Sequence, residues 1–393
     1  MGFNFGGFGR TKRNAAGAKV TRRGFGSNLL NSVIGVFIGF LVLIGSVCLL
    51  FYNEVKPNAA DAARDATELT AANAASLEGE AVWVKGELTA GTTVNDTTYI
   101  KGTDFVYLVR EVEMYAWIEE EHTETQDDWG GGTTTTTTYT YKKQWTRLVP
   151  NSVNFDKSGH DNPPKDIDDK TLVGDNLAIA GYSLGGSISF ANATVTFAPT
   201  TTNINEGTPS GKYIYLQSTA ITNPAVGDYR LSYYYILNNT EGIVLGKLSG
   251  TSIVKLEFTS KGVIKTSSSI YRFFNVDTIG GVISMLSSEN KTLLWVLRIV
   301  GTVAMLVGFL LLFGPIQAIA GIIPFLKKVT GAIVFVIALA LTLVLSFLTI
   351  LIANILNNWI SLIAMIAVVV LLMTFGVIKA RKKKAQEALN TSN

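Results

Sequence analysis

Apolar and polar positions fall into long blocks along this chain. Four stretches are almost wholly apolar: Leu29–Tyr52, Thr292–Phe313, Gly331–Ala353 and Trp359–Ile378. A helix rises about 1.5 Å per residue, so a hydrocarbon core about 30 Å thick needs roughly 20 such residues. Each stretch meets that length. They predict four membrane-crossing helices, one before and three after a polar insert at 53–290. Only Thr292–Phe313 carries a charge, Arg298, whose guanidinium is expected to snorkel to nearby headgroups; a buried charge on an ion path is the alternative. Gly35 and Gly39 have the GxxxG spacing that lets helices approach, which permits self-association. Pro315–Leu326 is apolar but interrupted by Pro315 and Pro324, and is expected to lie in the interface.

Inside the insert the period changes. Ala59, Ala62, Ala63, Ala66 and Leu69 recur at helical spacing and predict a helix over 59–76, leading off the membrane. From Glu80 the period is two. Val82, Val84, Gly86 and Leu88 share one face of a strand; Val106, Leu108, Arg110, Val112, Met114, Ala116 and Ile118 share a face of another. Tyr139, Tyr141, Lys143, Trp145 and Arg147 return with the same period, placing Trp117 and Trp145 on partner strands as cross-strand neighbours. The segment between, Glu119–Thr138, is acidic, then Gly-rich, then a run of threonines, and reads as a mobile hairpin tip. Further strand-like runs lie at 187–197, 212–217, 228–237, 243–250 and 252–258. Tyr229–Ile236 turning at Asn238-Asn239 into Ile243–Leu248 predicts a second hairpin. Tyr271–Ser288 is mixed and feeds the second span.

Charge gives the spans a direction. Residues 1–28 hold Arg10, Lys12, Arg13, Lys19, Arg22 and Arg23 with no acidic residue. Lys327 and Lys328 sit between the second and third spans, and the tail at 379–393 begins Lys379, Arg381, Lys382, Lys383, Lys384. With four crossings these segments share one side, so the positive-inside rule predicts cytoplasmic termini and an outer insert. The first apolar run is too long for a signal-peptide core, and it ends in Phe51-Tyr52, which suits an uncleaved anchor. Anionic lipid explains the basic arm without nucleic acid. The lone cysteine, Cys48, lies inside the first span, so the insert has no disulfide and no thiolate metal site.

Candidate chemistry is sparse. The two histidines, His122 and His160, form no recognisable triad with Ser, Cys or Asp. Asp156, His160, Asp161, Asp166, Asp168 and Asp169 are the densest set of hard-cation ligands, but EF-hand spacing is missing and Pro163-Pro164 interrupts them. They read as a solvated loop, with His160 fixing the adjacent hairpin. Asn95, Asn192, Asn238 and Asn290 open N-x-[ST] sequons, which matter only where the organism glycosylates the outer face. No catalytic, cofactor-binding or metal residue is assigned.

Several local words carry a resemblance. Glu78-Gly79 with Val82-Trp83-Val84-Lys85-Gly86, Val112-Glu113-Met114-Tyr115-Ala116-Trp117-Ile118-Glu119, Tyr139-Thr140-Tyr141 with Trp145, Asn151–Asp156 with Gly159–Pro163, and Val226–Tyr233 follow one another in order. Together they resemble the LUMA family (transmembrane protein 43); 170–225 matches poorly and the tip at 129–138 is peculiar to this chain. The resemblance implies a scaffold of the endoplasmic reticulum or inner nuclear membrane, or of the plasma (inner) membrane in a prokaryotic member, and supplies no catalytic residues.

The expected fold is therefore a multi-pass α-helical membrane protein, four spans arranged 1 + 3, with a large β-rich (α+β) extracytoplasmic or lumenal domain. The expected function is a non-enzymatic scaffold. Its partners are the lipid bilayer, other membrane proteins and further copies of itself; nucleic acid and cofactors are not among them. A transport or channel component relying on Arg298, and a membrane-anchored outer enzyme relying on His160, are the alternatives.

Overall fold

Long apolar helices and long strands alternate with short connections in the structure. It is a computed structural model and describes residues 10–358 except 15, 16, 103 and 186, together with 360, 363 and 367. In chain order it contains β1 (Arg10–Arg13), β2 (Lys19–Arg23), α1 (Phe25–Val55), α2 (Ala59–Asp65), β3 (Thr67–Glu68), β4 (Ala81–Thr89), β5 (Phe105–Asp127), β6 (Thr133–Thr146) and β7 (Lys170–Val173). Short strands and two longer ones, Tyr229–Leu237 and Thr240–Ser249, follow, and the last helices are α3 (Ile279–Leu312), α4 (Gly314–Ala320) and α5 (Pro324–Asn357).

Among the described residues α1, α3 and α5 are long and apolar enough to cross a membrane. The expected fourth span, Trp359–Ile378, and the tail at 379–393 lie outside the described residues apart from 360, 363 and 367. Large apolar side chains remain exposed along all three helices, among them Phe37, Phe40, Ile299, Val303, Val336 and Phe347, as lipid-facing surfaces require. Gly39 serves packing within the chain. A Cβ there would stand 2.8 Å from the Gly308 carbonyl oxygen and 2.8 Å from Leu311 Cβ, so α1 and α3 meet backbone to backbone. The GxxxG face expected to be free for self-association is thus occupied by α3.

The helix expected over 59–76 stops at Asp65. Ala66 turns extended, and Thr67 and Glu68 join β4 as a parallel partner. Ala60, Ala62 and Ala63 are the buried face of the short helix, with Ala59 and Ala66 packed at its ends. They bury against Ile243, Leu245, Phe274, Val282 and Leu286.

One sheet is nearly closed on itself. The strands Thr240–Ser249, Ser252–Val254, Tyr182–Leu184, Ala178–Ile179 and β4 pair in that order, and Thr240–Ser249 pairs with β4 again. Inside the ring lie Val82, Val84, Leu88, Ile179, Val244, Leu248 and Ile253. Ile243 and Leu245 point outward onto α2 and α3, which explains the unbroken run Ile243-Val244-Leu245: both faces of that strand are covered.

The second sheet has the order β1-β2-β6-β5-(Tyr229–Leu237)-(Tyr213–Tyr215)-(Thr208–Ser210). Its core is Phe105, Leu108, Val112, Met114, Ala116, Leu231 and Tyr233. The expected second hairpin is a corner between the two sheets. Tyr229–Leu237 pairs with β5, whereas Thr240–Ser249 pairs with β4. Asn238 N–H donates to Asp104 and Asn239 N–H to Leu88, one bond toward each sheet, with Asn239 at φ 62°.

The expected mobile tip is ladder. β5 and β6 pair from Met114↔Thr146 to Asp127↔Thr133, leaving only Asp128–Gly132 as the turn. Threonine is β-branched and suits a strand, and Thr123–Thr137 and Thr125–Thr135 bond across it at 3.3 and 3.1 Å. The other edge of β6 takes β2, Lys19↔Thr137 to Arg23↔Thr133. The basic arm, expected apart from the insert, therefore belongs to its sheet. Trp145 faces Tyr115, and Trp117 faces Lys143, so the two tryptophans are not direct cross-strand partners.

Candidate functional site at the junction of domain and helices

Where α1 leaves its apolar stretch, three helices converge on one carboxylate. The Glu54 side chain is 2% exposed. It accepts from Arg298 Nε and Nη2, both at 2.7 Å, and from Asn354 Nδ2 at 2.9 Å. This fork-to-fork geometry is the strong form of an ion pair. Asn357 Nδ2 donates to the Glu54 carbonyl, and Asn53 Nδ2 donates to the Leu294 carbonyl on α3. Arg298, 22% exposed, also covers the Trp295 ring at 4.9 Å. Arg298 was expected to reach for headgroups. It pairs instead with Glu54, because an acid at the same depth on the neighbouring helix spares both charges an unpaired burial.

The domain clamps this node from outside. Val263 N–H bonds the Leu356 carbonyl, and Thr266 Oγ1 bonds the Val55 carbonyl. A Cβ on Gly262 would stand 2.6 Å from the Asn357 carbonyl oxygen, so this loop rests directly on the end of α5. A second ion pair ties α3 to the ring: Arg272 forks onto Glu289 at 2.9 Å twice, and Asn192 donates to the same carboxylate at 2.7 Å. Arg272 holds the Glu289 carboxyl below the usual range. Apolar burial of α2 and the start of α3 on Ile243, Leu245 and Phe274 fills the space between the two ion pairs.

The sequence-predicted residues gather elsewhere. His160 stacks on Tyr141 with centroids 3.7 Å apart and meets the edge of Trp117 at 4.7 Å. Tyr141 donates to Glu119 at 2.5 Å; burial, then that carboxylate, push its hydroxyl up to about 12. Asn162 exchanges bonds with both backbone groups of Trp117, 2.8 and 2.9 Å, standing in for a neighbouring strand. The loop thus fastens the hairpin where it leaves the domain. Asp156 pairs with Arg13 at 2.7 Å and Lys19 at 2.5 Å, and Arg13, first, holds its carboxyl down at about 2. Asp169 serves Arg147 and the Val112 N–H. These carboxylates point to different partners. Among the described residues no group of three His, Cys, Asp or Glu is placed to hold a metal. His122 lies out on the hairpin, 3.5 Å from Glu124 and 71% exposed.

Two clefts remain. One of about 820 Å³ lies on the outer face of the larger sheet, between Tyr107, Glu111, Tyr234, Phe190 and Asn192, and Glu111 is already held by Arg147. The other, about 470 Å³, borders the junction and is lined by Lys56, Asp61, Asp65, Ser260, Lys261 and Asn357. Sequence reasoning missed Glu54, Asn354 and Asn357 as a site. An acid ends one apolar stretch, a base lies inside another and two asparagines stand at helical spacing, but no local pattern brings the four together.

Comparison with known proteins gives one consistent neighbourhood. The family model described as transmembrane protein 43 matches residues 114–359. The transmembrane protein 43 homolog of Drosophila melanogaster is 32% identical over 197 residues, 48% of this chain and 51% of that protein. Transmembrane protein 43 of Homo sapiens is 30% identical over 169 residues, 39% and 40% respectively. The mouse protein is 32% identical over 156 residues, 36% and 37%. The chain thus spans about half the length, or less, of the curated relatives it matches. No solved structure matches.

Proposed function

Since the chain belongs to the transmembrane protein 43 family and is embedded in a membrane, we propose that it is a non-enzymatic scaffold that holds its β-rich domain at a fixed attitude against the bilayer. The observation that carries this reading is the junction. A hinge or gate would need a loose connection, whereas here a buried ion pair locks α1 to α3, and a second ion pair, an apolar cluster and the bonds of Val263 and Thr266 join the domain to α3, α5 and α1. A domain so fixed offers neighbouring membrane proteins, or further copies of the chain, one constant face. The basic segments Arg10–Arg23, Lys327-Lys328 and Lys379–Lys384 support cytoplasmic termini and an outer domain. A channel reading rests on Arg298 as a free intramembrane charge, and its pairing with Glu54 gives that reading little support.

In-cell crosslinking in the native membrane tests the proposal. The domain is expected to crosslink reproducibly to membrane proteins or to itself. A chain that stays monomeric and captures no membrane neighbour would refute it.

A further inference from the structure

The smaller cleft sits at the level where α1 and α5 turn from apolar to polar. Its walls are Lys56, Pro57 and Asn58 after α1, Asp61 and Asp65 on α2, Ser260 and Lys261 from the clamping loop, and the asparagines ending α5. Just below it, Tyr52 on α1 and Leu351 and Ile352 on α5 are exposed apolar surface. A molecule filling this cleft would therefore have a polar head among amides and charges, and apolar chains along the helices.

The charges in the cleft are unequal in their commitments. Asp65 is paired with Lys261 and Asp61 with Arg64. Lys56 is half-buried, and its ammonium bonds only the neutral Asn53 Oδ1, at 2.9 Å. Among the described residues no carboxylate lies within ion-pair range of it. A cation placed this way is a receptor for an anionic oxygen. The lining as a whole balances, with Lys56 and Lys261 against Asp61 and Asp65. That balance suits a head carrying one charge of each sign and disfavours a polyanion.

We propose that this cleft binds the headgroup of a zwitterionic phospholipid, phosphatidylethanolamine in chemistry, with its phosphate on Lys56 and its ammonium toward Asp61 Oδ2 and Asp65 Oδ1, the carboxylate oxygens that Arg64 and Lys261 do not hold. The proposal rests on the reading that α1 and α5 cross a bilayer. A lipid held there would wedge between α2, the clamping loop and α5, and so join the junction itself.

The test is native mass spectrometry of the full chain, delipidated in detergent and titrated with phosphatidylethanolamine. One lipid is expected to bind. Lys56→Gln should weaken it about fivefold, the equivalent of about 1 kcal/mol for one lysine at a membrane surface. Lys85→Gln, on an exposed strand position, should leave it unchanged. Equal binding by wild type and Lys56→Gln would overturn the site, and so would preference for a polyphosphoinositide. Binding of inorganic phosphate alone, with the same dependence on Lys56, would also overturn it by making this a phosphate site. Flotation with liposomes checks the crossing separately: a chain that floats yet binds no lipid at Lys56 refutes this site and leaves the scaffold reading standing.

Discussion

At its C-terminal end α1 is fastened by an enclosed carboxylate, Glu54, bonded to Arg298 and Asn354. At its N-terminal end it is fastened through surface contacts. There β2 lies on the threonines of β6, and Arg13 and Lys19, 49% and 40% exposed, cover Asp156. The hairpin turn meets the helix start, with Asn28 donating to the Gly131 carbonyl and Gly130 to that of Ile322. The lengths agree. The 31-residue helix and the paired part of the hairpin each extend roughly 45 Å.

A bilayer separates the two ends further. The junction needs nothing but helices to cross lipid. The N-terminal contacts need the hairpin beside α1 for its whole length, with Glu119, Glu120, Glu121, Glu124, Lys142 and Lys143 on it. Charges of this kind cost about 3 kcal/mol each at a membrane centre. Exposed cross-strand pairs contribute about 0.2–1 kcal/mol each, and β2 makes five with β6. The charges win. On the proposed topology, with cytoplasmic termini and an outer domain, a bilayer around α1 would therefore part the arm from the hairpin and leave the junction in place.

Breaking the stronger end should have the larger effect. Glu54→Ala leaves Arg298 beside an empty partner, and removing one member of a buried pair costs about 3–5 kcal/mol, toward the lower figure because Arg298 keeps some exposure. A thermal melt in nanodiscs reads this, and an unchanged melt would show that the junction is not the lock. Asn162→Ala strands both backbone groups of Trp117 and should cost about 1–3 kcal/mol at the hairpin base. Hydrogen exchange is expected to rise at Trp117 and not at Asn354.

The weaker end yields subtler readings. The pair Thr21→Cys and Thr135→Cys faces across the ladder, and should form no disulfide in sealed membranes. A disulfide there would mean that arm and hairpin share one face of the bilayer. In detergent solution the arm should stay docked at neutral pH and loosen in acid. The Asp156 carboxyl is lowered to about 2 from 3.8, so its contribution is present above the ordinary value and disappears as pH falls toward 2. The two cations it binds are themselves 49% and 40% exposed, so water screens the pair and the effect is small. Protease access to Arg22 against pH measures it.

What was legible in the sequence follows the same division. Apolar length located three helices that the structure contains, because burial in lipid needs only composition. Period-two alternation located β4 and β5, because each has one face on a core. It failed at Asn238-Asn239, where two apolar strands in succession looked like a hairpin; strands buried on both faces carry no mark of which sheet they join. It failed again along Thr133–Thr138, where low complexity suggested a loop and a long cross-strand ladder makes it strand. The junction was invisible for a different reason. Glu54 and Arg298 are 244 positions apart, and nothing in local pattern says that two helices bring them to the same depth.

Distance measurement between domain and helices tests the rigid junction most directly. Spin labels at Thr251→Cys, in an exposed turn of the ring, and Val336→Cys, on the lipid face of α5, in a Cys48→Ala background, would be read by pulsed electron resonance in nanodiscs. One narrow distance distribution is predicted for the otherwise wild-type chain, broadening when Glu54→Gln is added. A broad distribution before that change would contradict the account, since the domain would then be swinging on its helices.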